Sequence, residues 1–370
     1  MKAIAVFPKT RTVDLIDVPE PRLEAPTHVK LRMLEVGVCG TDREICRFDY
    51  GTPPDGSDHL VIGHESLGEV VEVGSEVRGI AAGDLVIPMV RRPCPHRNCT
   101  ACRAGRQDFC FTGDFSERGI KSRHGFMTEY VVDDARYMNV VPRALRDVAI
   151  LVEPLTIAEK GLMQVWQIQQ RLPWACSMEA ARSHAYGHSA VVLGAGPVGL
   201  LGAMALVAQG FQTFVYSREK APNPKAALVE SIGGRYVSAE ETSLEGLANR
   251  IDGIDVVYEA TGASKVAFDM LSVIGPNAIF IFTGVPGRKG PVTVDTDVLM
   301  RNMVLKNQVV FGTVNASKDA FEAAIRDVAL FDRRWPKAVR SLITGRFPMA
   351  SYRELLTGDA TGIKNVLTIA

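Results

Sequence analysis

The stretch Ala190 to Gly202, AVVLGAGPVGLLG, constrains the fold more than any other part of the chain. A short apolar run, Val191-Val192-Leu193, meets Gly194, Gly196 and Gly199 at GxGxxG spacing and passes into a helical pattern carrying Leu200, Met204 and Val207. In such a strand-to-helix turn, Gly194 permits the tight bend, Gly196 lets backbone approach a pyrophosphate, and Gly199 lets the helix pack closely on the sheet. Pro197 suits the first helical turn, where its missing N–H costs nothing, and Val198 follows it. The unpaired N–H groups and positive dipole end of this helix favour phosphate charge. GxGxxG alone also serves ordinary turns; its place between an apolar strand and an apolar helix selects the dinucleotide-binding reading.

Further near-continuous apolar runs follow: TFVY at 213–216, DVVYEA at 255–260, AIFIF at 278–282 and QVVFG at 308–312. They alternate with helical segments such as PKAALVESIGG and SKVAFDMLSVIG. Buried strands between helices predict an α/β fold with a parallel, doubly wound sheet. In that fold an acidic residue about 20 positions after the first glycine accepts hydrogen bonds from the adenine ribose. Here the second strand ends in Tyr216-Ser217-Arg218-Glu219-Lys220, with neutral Ser217 at the expected place and cations beside it. Arg218 can pair with a 2′-phosphate, which favours NADP at least as much as NAD. If Glu219 faces the ribose instead, the preference becomes dual, and a plain solvated charged turn is the competing reading.

Lys+Arg and Asp+Glu both total 42, so no strong field of one sign points to nucleic acid or membrane lipid. A small-molecule partner is expected. No apolar run approaches the ~20 residues of a membrane helix, which leads to the expectation of a cytoplasmic protein. A chain of 370 residues leads to an expectation of two domains.

The first half reads as an irregular β domain with long loops, from runs such as AIAVF, VKLRMLEVGV, SLGEVVEVG, DLVIP and MTEYVVDD. The loops carry the chemistry-bearing residues. Cys39 begins CGTD, and GHE at Gly63 to Glu65 begins shortly after; Cys39 and His64 are ligand types that a catalytic zinc uses while keeping one position open. A buried Cys and a surface His account for the same two residues equally well, and Glu153, in LVEPL, joins only if the fold brings it there. Four of the seven cysteines, Cys94, Cys99, Cys102 and Cys110, crowd into one lobe, with Cys99 and Cys102 as CxxC. This spacing points to a closed structural zinc in a reducing compartment. His96 stands where regular spacing would place a ligand, and competes with Cys94 as the fourth. Cys46 and Cys176 read as packing residues, and His28, His59, His124, His184 and His188 have no neighbours at ligand spacing. The region 143–189, with helical PLTIAEKGLMQVWQIQQ and then RLPW, reads as the domain boundary.

With CGTD, GHE, GRQDFC, EPLTIAEKG, RLPW and FGTVNA in hand, the chain resembles the zinc-dependent medium-chain alcohol dehydrogenases along nearly its full length, and within them the glucose dehydrogenase branch. The resemblance implies a GroES-like catalytic domain, residues 1–165 and 316–370, with a structural-zinc lobe at about 91–112, around a Rossmann coenzyme domain, 166–315. It implies one catalytic zinc on Cys39, His64 and either Glu65 or Glu153, and one structural zinc on the four lobe cysteines. The implied activity is NAD(P)-dependent oxidation of an aldose, with a polyol or secondary alcohol as the alternative substrate and a non-catalytic dinucleotide-binding relic as the alternative of another class. Thr41 matches the relay hydroxyl beside the substrate oxygen; Glu44 occupies the slot where some relatives carry the relay histidine. Asp114 matches a sugar-contacting acid, Asn315 an Asn near the nicotinamide and substrate, and Lys364 a cation that reaches the cofactor phosphates. Thr283 and Thr313 join the implied coenzyme contacts, Glu153 the substrate contacts, and a homo-oligomer, dimer or tetramer, is implied. Val90 and Ile157 replace the Asn and Asp of some members, each removing a sugar hydrogen bond.

Overall fold

The structure, a computed structural model, describes residues 1–173, 187–287, 290–359 and 361–369. Trp174, Cys176 and His184 lie outside the described residues. The chain forms two compact units: Met1–Thr156 with Asn315–Ala370, and Ile157–Val314. The helix Val152–Gln169 runs through the division.

In the second unit the described residues form a six-stranded, wholly parallel sheet. Its spatial order is Arg235–Ser238, Gln212–Ser217, Ser189–Leu193, Val256–Glu259, Ile279–Phe282, Val309–Gly312. The doubly wound expectation therefore holds. The sequence reverses direction across the sheet between Ser189–Leu193 and Val256–Glu259, the position beside which such sheets open a ligand crevice. Ser189–Leu193 is buried along its whole length, as a strand covered on both faces must be. Helix Pro197–Ala208 follows it with Pro197 in the first turn, and residues Gly199 to Leu206 are buried. The main core gathers Val191, Leu193, Phe214, Val257, Phe280 and their neighbours.

The first unit is β-rich and irregular, as its alternating runs predict. Its largest sheet orders Met138–Val141, Leu85–Pro88, Glu65–Val73, His28–Gly37, Lys364–Thr368 and Ile343–Pro348, and Tyr130–Asp134 also pairs with His28–Gly37. Two pairings position the site. Gly37 lies opposite Glu65 on one side and opposite Val366 on the other. Glu65 and Val366, far apart in sequence, thus flank a single residue of one strand. No helix of the described residues is long and apolar enough to cross a membrane.

Candidate metal centres and coenzyme site

The first cluster is built at the start of a short helix. Gly40–Cys46 begins after Cys39, whose backbone N–H donates to Asp42 Oδ2 at 2.8 Å. This capping contact fixes Asp42, which is fully buried, at the first turn. Donor atoms of Cys39, His64 and Glu65 all lie within 4.8 Å of one another. His64 Nδ1 sits 3.3 Å from Asp42 Oδ1, and neither atom has a well-aligned hydrogen bond. Burial works to hold the His64 ring neutral, but the charge of Asp42, with Cys39 beside it, outweighs that and raises the ring's pKa well above 6.5. A half-buried thiol beside a buried imidazole, whose Nδ1 lacks a hydrogen-bond partner, and a buried carboxylate suit zinc in donor type. Asp42 is placed as the group that orients the imidazole.

Glu65 has a second partner. Lys364 Nζ donates to Glu65 Oε1 at 2.8 Å and Oε2 at 2.5 Å, and to the Val38 carbonyl at 3.3 Å. Lys364 is 1% exposed. Lys364, which the resemblance assigns to the cofactor phosphates, here has its ammonium bonded to a buried carboxylate beside the cluster. Nothing local to Lys364 in the sequence signals that pairing. Glu153 lies outside the three-residue set but shares its field. Burial pushes its carboxyl up to about 7, the positive charge of His64 opposing the shift and the negative charge of Glu65 adding to it. Both carboxylates remain candidates, one paired with Lys364 and the other uncharged over much of the acidic range.

Thr41 and Glu44 follow on the same helix and are half-buried. The next loop carries exposed Tyr50, whose hydroxyl feels the charges of Glu117, Arg91, Glu44 and His64. Glu117 is a residue the sequence reading missed. It is 4% exposed; its Oε1 accepts from Arg91 Nε and Nη2 at 3.0 Å and from Asn315 Nδ2 at 3.1 Å. Arg91 stacks 3.6 Å over the Phe115 ring. Asp114, the expected sugar contact, is instead exposed and bonded to His96 Nε2 at 2.7 Å. Glu117, three positions on, is held in a buried polar network, and in sequence only its place between Ser116 and Arg118 in a short polar strand hints at it.

The second cluster gathers Cys94, Cys99, Cys102 and Cys110, again within 4.8 Å of one another. Cys94 N–H donates to Cys102 Sγ at 3.4 Å. Burial opposes ionisation of Cys110, but the Thr112 hydroxyl and the amides of Thr112 and Gly113 outweigh it and bring the thiol down to about 6. Burial drives Cys102 the other way, to about 12. Four convergent sulfurs fit a closed metal site that would hold all four as thiolates. His96 is occupied with Asp114, outside the set. Cys46 is buried and alone, with its thiol pushed up to about 12 by burial, as a packing residue should be.

In the second unit, Gly194 has φ +103°, and a side chain there would strike Thr261, while one at Gly199 would strike the Gly194 carbonyl. Only glycine fits either place. Gly196 caps the helix with open space beside it, and Pro197 and Val198 start the first turn, so the helix N-terminus offers N–H groups to an anion. Ser217 ends its strand half-buried, and Arg218 and Lys220 are exposed. Glu219 pairs with Lys225 at 2.8 Å. That pairing leaves the two cations beside Ser217 without an ion pair among the described residues. Thr283 donates to the Glu259 carbonyl at 2.6 Å, and Thr313 Oγ1 accepts from Gln164 at 3.1 Å. Asn315, with φ +58°, belongs to the first unit.

Comparison with known proteins agrees with this anatomy. Residues 25–143 match the alcohol dehydrogenase GroES-like domain, and residues 146–369 match the glucose dehydrogenase C-terminus. The chain is 39% identical to a glucose 1-dehydrogenase of Methanocella arvoryzae, over 100% of this chain and 99% of the relative. It is 37% identical to that of Thermoproteus tenax, again over 100% and 99%. Among solved structures it is similar to Haloferax mediterranei glucose dehydrogenase in complex with NADP, Zn and gluconolactone, with TM-score 0.88, 32% identity and coverage of 100% and 99%. It shares the fold of 2R,3R-butanediol dehydrogenase from Bacillus subtilis, with TM-score 0.77, 22% identity and coverage of 100% and 99%.

Proposed function

Because the chain belongs to the glucose dehydrogenase branch of the zinc-dependent medium-chain alcohol dehydrogenases, we propose that it oxidises an aldose, D-glucose foremost, at C1 to the lactone, with NADP or NAD as hydride acceptor. The observation that carries the proposal is the convergence of the Cys39, His64 and Glu65 donor atoms in one largely buried site. Those residues, or Cys39 and His64 with Glu153, would hold the catalytic zinc; the four lobe cysteines would hold the structural one. When bound, zinc supplies Lewis-acid polarisation of the sugar hydroxyl, and the coenzyme supplies the hydride acceptor.

The chain's own groups supply orientation, charge and proton movement. Asp42, beside Nδ1, orients the His64 ring. Thr41 Oγ1 accepts the proton of the anomeric hydroxyl and passes it on to solvent. Glu117 offers Oε2 to a sugar hydroxyl while Arg91 and Asn315 fix its other oxygen. The first unit serves as the catalytic domain and the second as the coenzyme domain. Gly194, Gly196 and Gly199 admit the pyrophosphate, and Arg218 and Lys220 meet a 2′-phosphate.

We place the enzyme in the cytoplasm, where thiols such as the lobe cysteines stay reduced, and infer a homo-oligomer. Helix Thr296–Leu305 buries none of its residues and exposes Val298, Met300, Val304 and Leu305. Beside it in sequence lies the edge strand Val309–Gly312. A second copy covering this face accounts for both features. Leu305→Glu should then shift the protein toward monomer in analytical ultracentrifugation.

The activity is tested by initial rates on D-glucose, D-galactose, D-xylose and sorbitol with each coenzyme. The reading expects D-glucose to be fastest with lactone as product. Faster turnover of sorbitol than of every aldose would support a polyol dehydrogenase instead, and no turnover by zinc-loaded protein would support a non-catalytic relic.

A further inference from the structure

At the carboxyl end of the strand Val256–Glu259 lies a buried acid that the proposed mechanism does not use. Glu259 is 1% exposed. Its Oε1 accepts from the Thr261 N–H at 2.7 Å, the Thr261 hydroxyl at 2.6 Å and the Gly262 N–H at 2.8 Å. Its Oε2 accepts from the Gly284 N–H at 3.1 Å. One side chain therefore ties together the two loops that leave neighbouring strands, Val256–Glu259 and Ile279–Phe282. Its backbone carbonyl adds a third tie, accepting from both the N–H and the hydroxyl of Thr283.

The first of these loops leans on the glycine turn. Ala260 N–H donates to the Leu193 carbonyl at 3.0 Å, and the Thr261 methyl group occupies the space that a side chain on Gly194 would need. The second loop is equally close, since a side chain on Gly284 would strike Gly262 and Glu259 itself. The buckle thus stands next to the place where the sheet order reverses, on the side where a dinucleotide lies in this architecture. An acid is an unexpected choice so near a pyrophosphate unless its charge is consumed. Only a carboxylate can accept all four of these bonds; an amide has one accepting oxygen, and its NH2 group would point at the Gly284 or Gly262 N–H.

We propose that Glu259 is the positioning residue of the coenzyme crevice, setting the Thr261–Gly262 and Thr283–Gly284 loops against the Gly194 turn so that the dinucleotide finds a pre-formed floor. The inference rests on the coenzyme reading above. Preorganisation acts on binding more than on the later chemical step, so its loss is read in affinity.

The test is isothermal titration of zinc-loaded wild-type and Glu259→Gln protein with NADP and with NAD, alongside melting curves of both without coenzyme. The expected result is Kd for the coenzyme the wild type binds raised at least about tenfold, with a larger change in KM for coenzyme than in kcat. A role confined to stability would lower the melting temperature and leave Kd where it was. Glu259→Asp, one methylene shorter, should reach the nearer loop but not Gly284, and bind at intermediate strength. If Glu259→Gln does not fold, Thr261→Val against Thr261→Ser makes the same comparison, with Val losing affinity and Ser keeping it. Wild-type protein that binds neither coenzyme overturns the coenzyme reading itself. Binding by wild type with equal Kd in folded Glu259→Gln, or in Thr261→Val and Thr261→Ser alike, overturns this inference alone.

Discussion

Replacing Lys364 by Met probes the least expected contact of the candidate active site. The ammonium and the Glu65 carboxylate are 2% and 1% exposed in their side chains, 2.5 Å apart at closest, and Lys364 is the ion-pair partner of Glu65. Burial works to strip the proton from Lys364, but the negative charges of Glu65 and Cys39 outweigh it and raise its pKa above 10.5. Its contribution to stability is therefore fully present below pH 10.5 and is lost only as pH rises through the higher folded value. Met keeps the apolar stem and removes the charge, stranding a carboxylate in a dry site. Breaking a buried pair from one side costs roughly 3–5 kcal/mol. For a unit of this size each kcal/mol shifts the melting temperature by about 2–4 °C, so the loss should be about 6–20 °C by calorimetry at neutral pH. Removing both charges, in Glu65→Gln with Lys364→Met, should restore much of it, because no unpaired charge remains. A Lys364→Met protein melting within about 2 °C of wild type, or a double variant no better than the single one, would refute the reasoning.

Three further outcomes follow from the same geometry. Burial raises the Glu153 carboxyl from 4.5 to about 7, so the folded metal-free protein binds that proton more tightly than the unfolded chain does, and stability falls as pH rises between those values. Glu153→Gln should flatten this fall in denaturant midpoints taken at about pH 5 and about pH 7.5, and parallel profiles would contradict the assignment. Arg218→Ala with Lys220→Ala should raise KM for NADP by about 10²- to 10⁴-fold, at ~1.5–3 kcal/mol for each of the two charged contacts, with KM for NAD little changed; an equal rise for both coenzymes would contradict it. Cys99→Ser should lose the lobe zinc and lower the melting temperature while folded molecules keep their turnover, as measured by metal content, calorimetry and active-site titration.

What could be read from the sequence divides by range. The parallel sheet was legible because burial on both faces writes itself as continuous apolar runs, and the glycine turn because Gly194 and Gly199 answer to contacts within a few residues. The cysteine lobe was legible for the same reason. Cys39 and His64 stand out by residue type, but their meeting depends on sheet pairing that no local pattern encodes. Lys364 shows the limit most plainly: it reaches Glu65 because the strand Lys364–Thr368 and the strand Glu65–Val73 flank the same partner strand, His28–Gly37. Asp114 is singled out by the family resemblance, while Glu117, an acid in the same polar stretch, carries no mark in the sequence. Only side-chain direction separates the one bonded to His96 at the surface from the one held by Arg91 and Asn315 in the interior.

The central claim is that a zinc held by Cys39, His64 and a carboxylate serves sugar oxidation. It is tested most directly by counting zinc in wild-type and His64→Ala protein while following NADP reduction with D-glucose. The account predicts a catalytic and a structural zinc in wild type, only the structural one in His64→Ala, and loss of turnover by His64→Ala molecules that remain folded. Wild-type protein with a single zinc per chain, or His64→Ala protein as active as wild type, would contradict it.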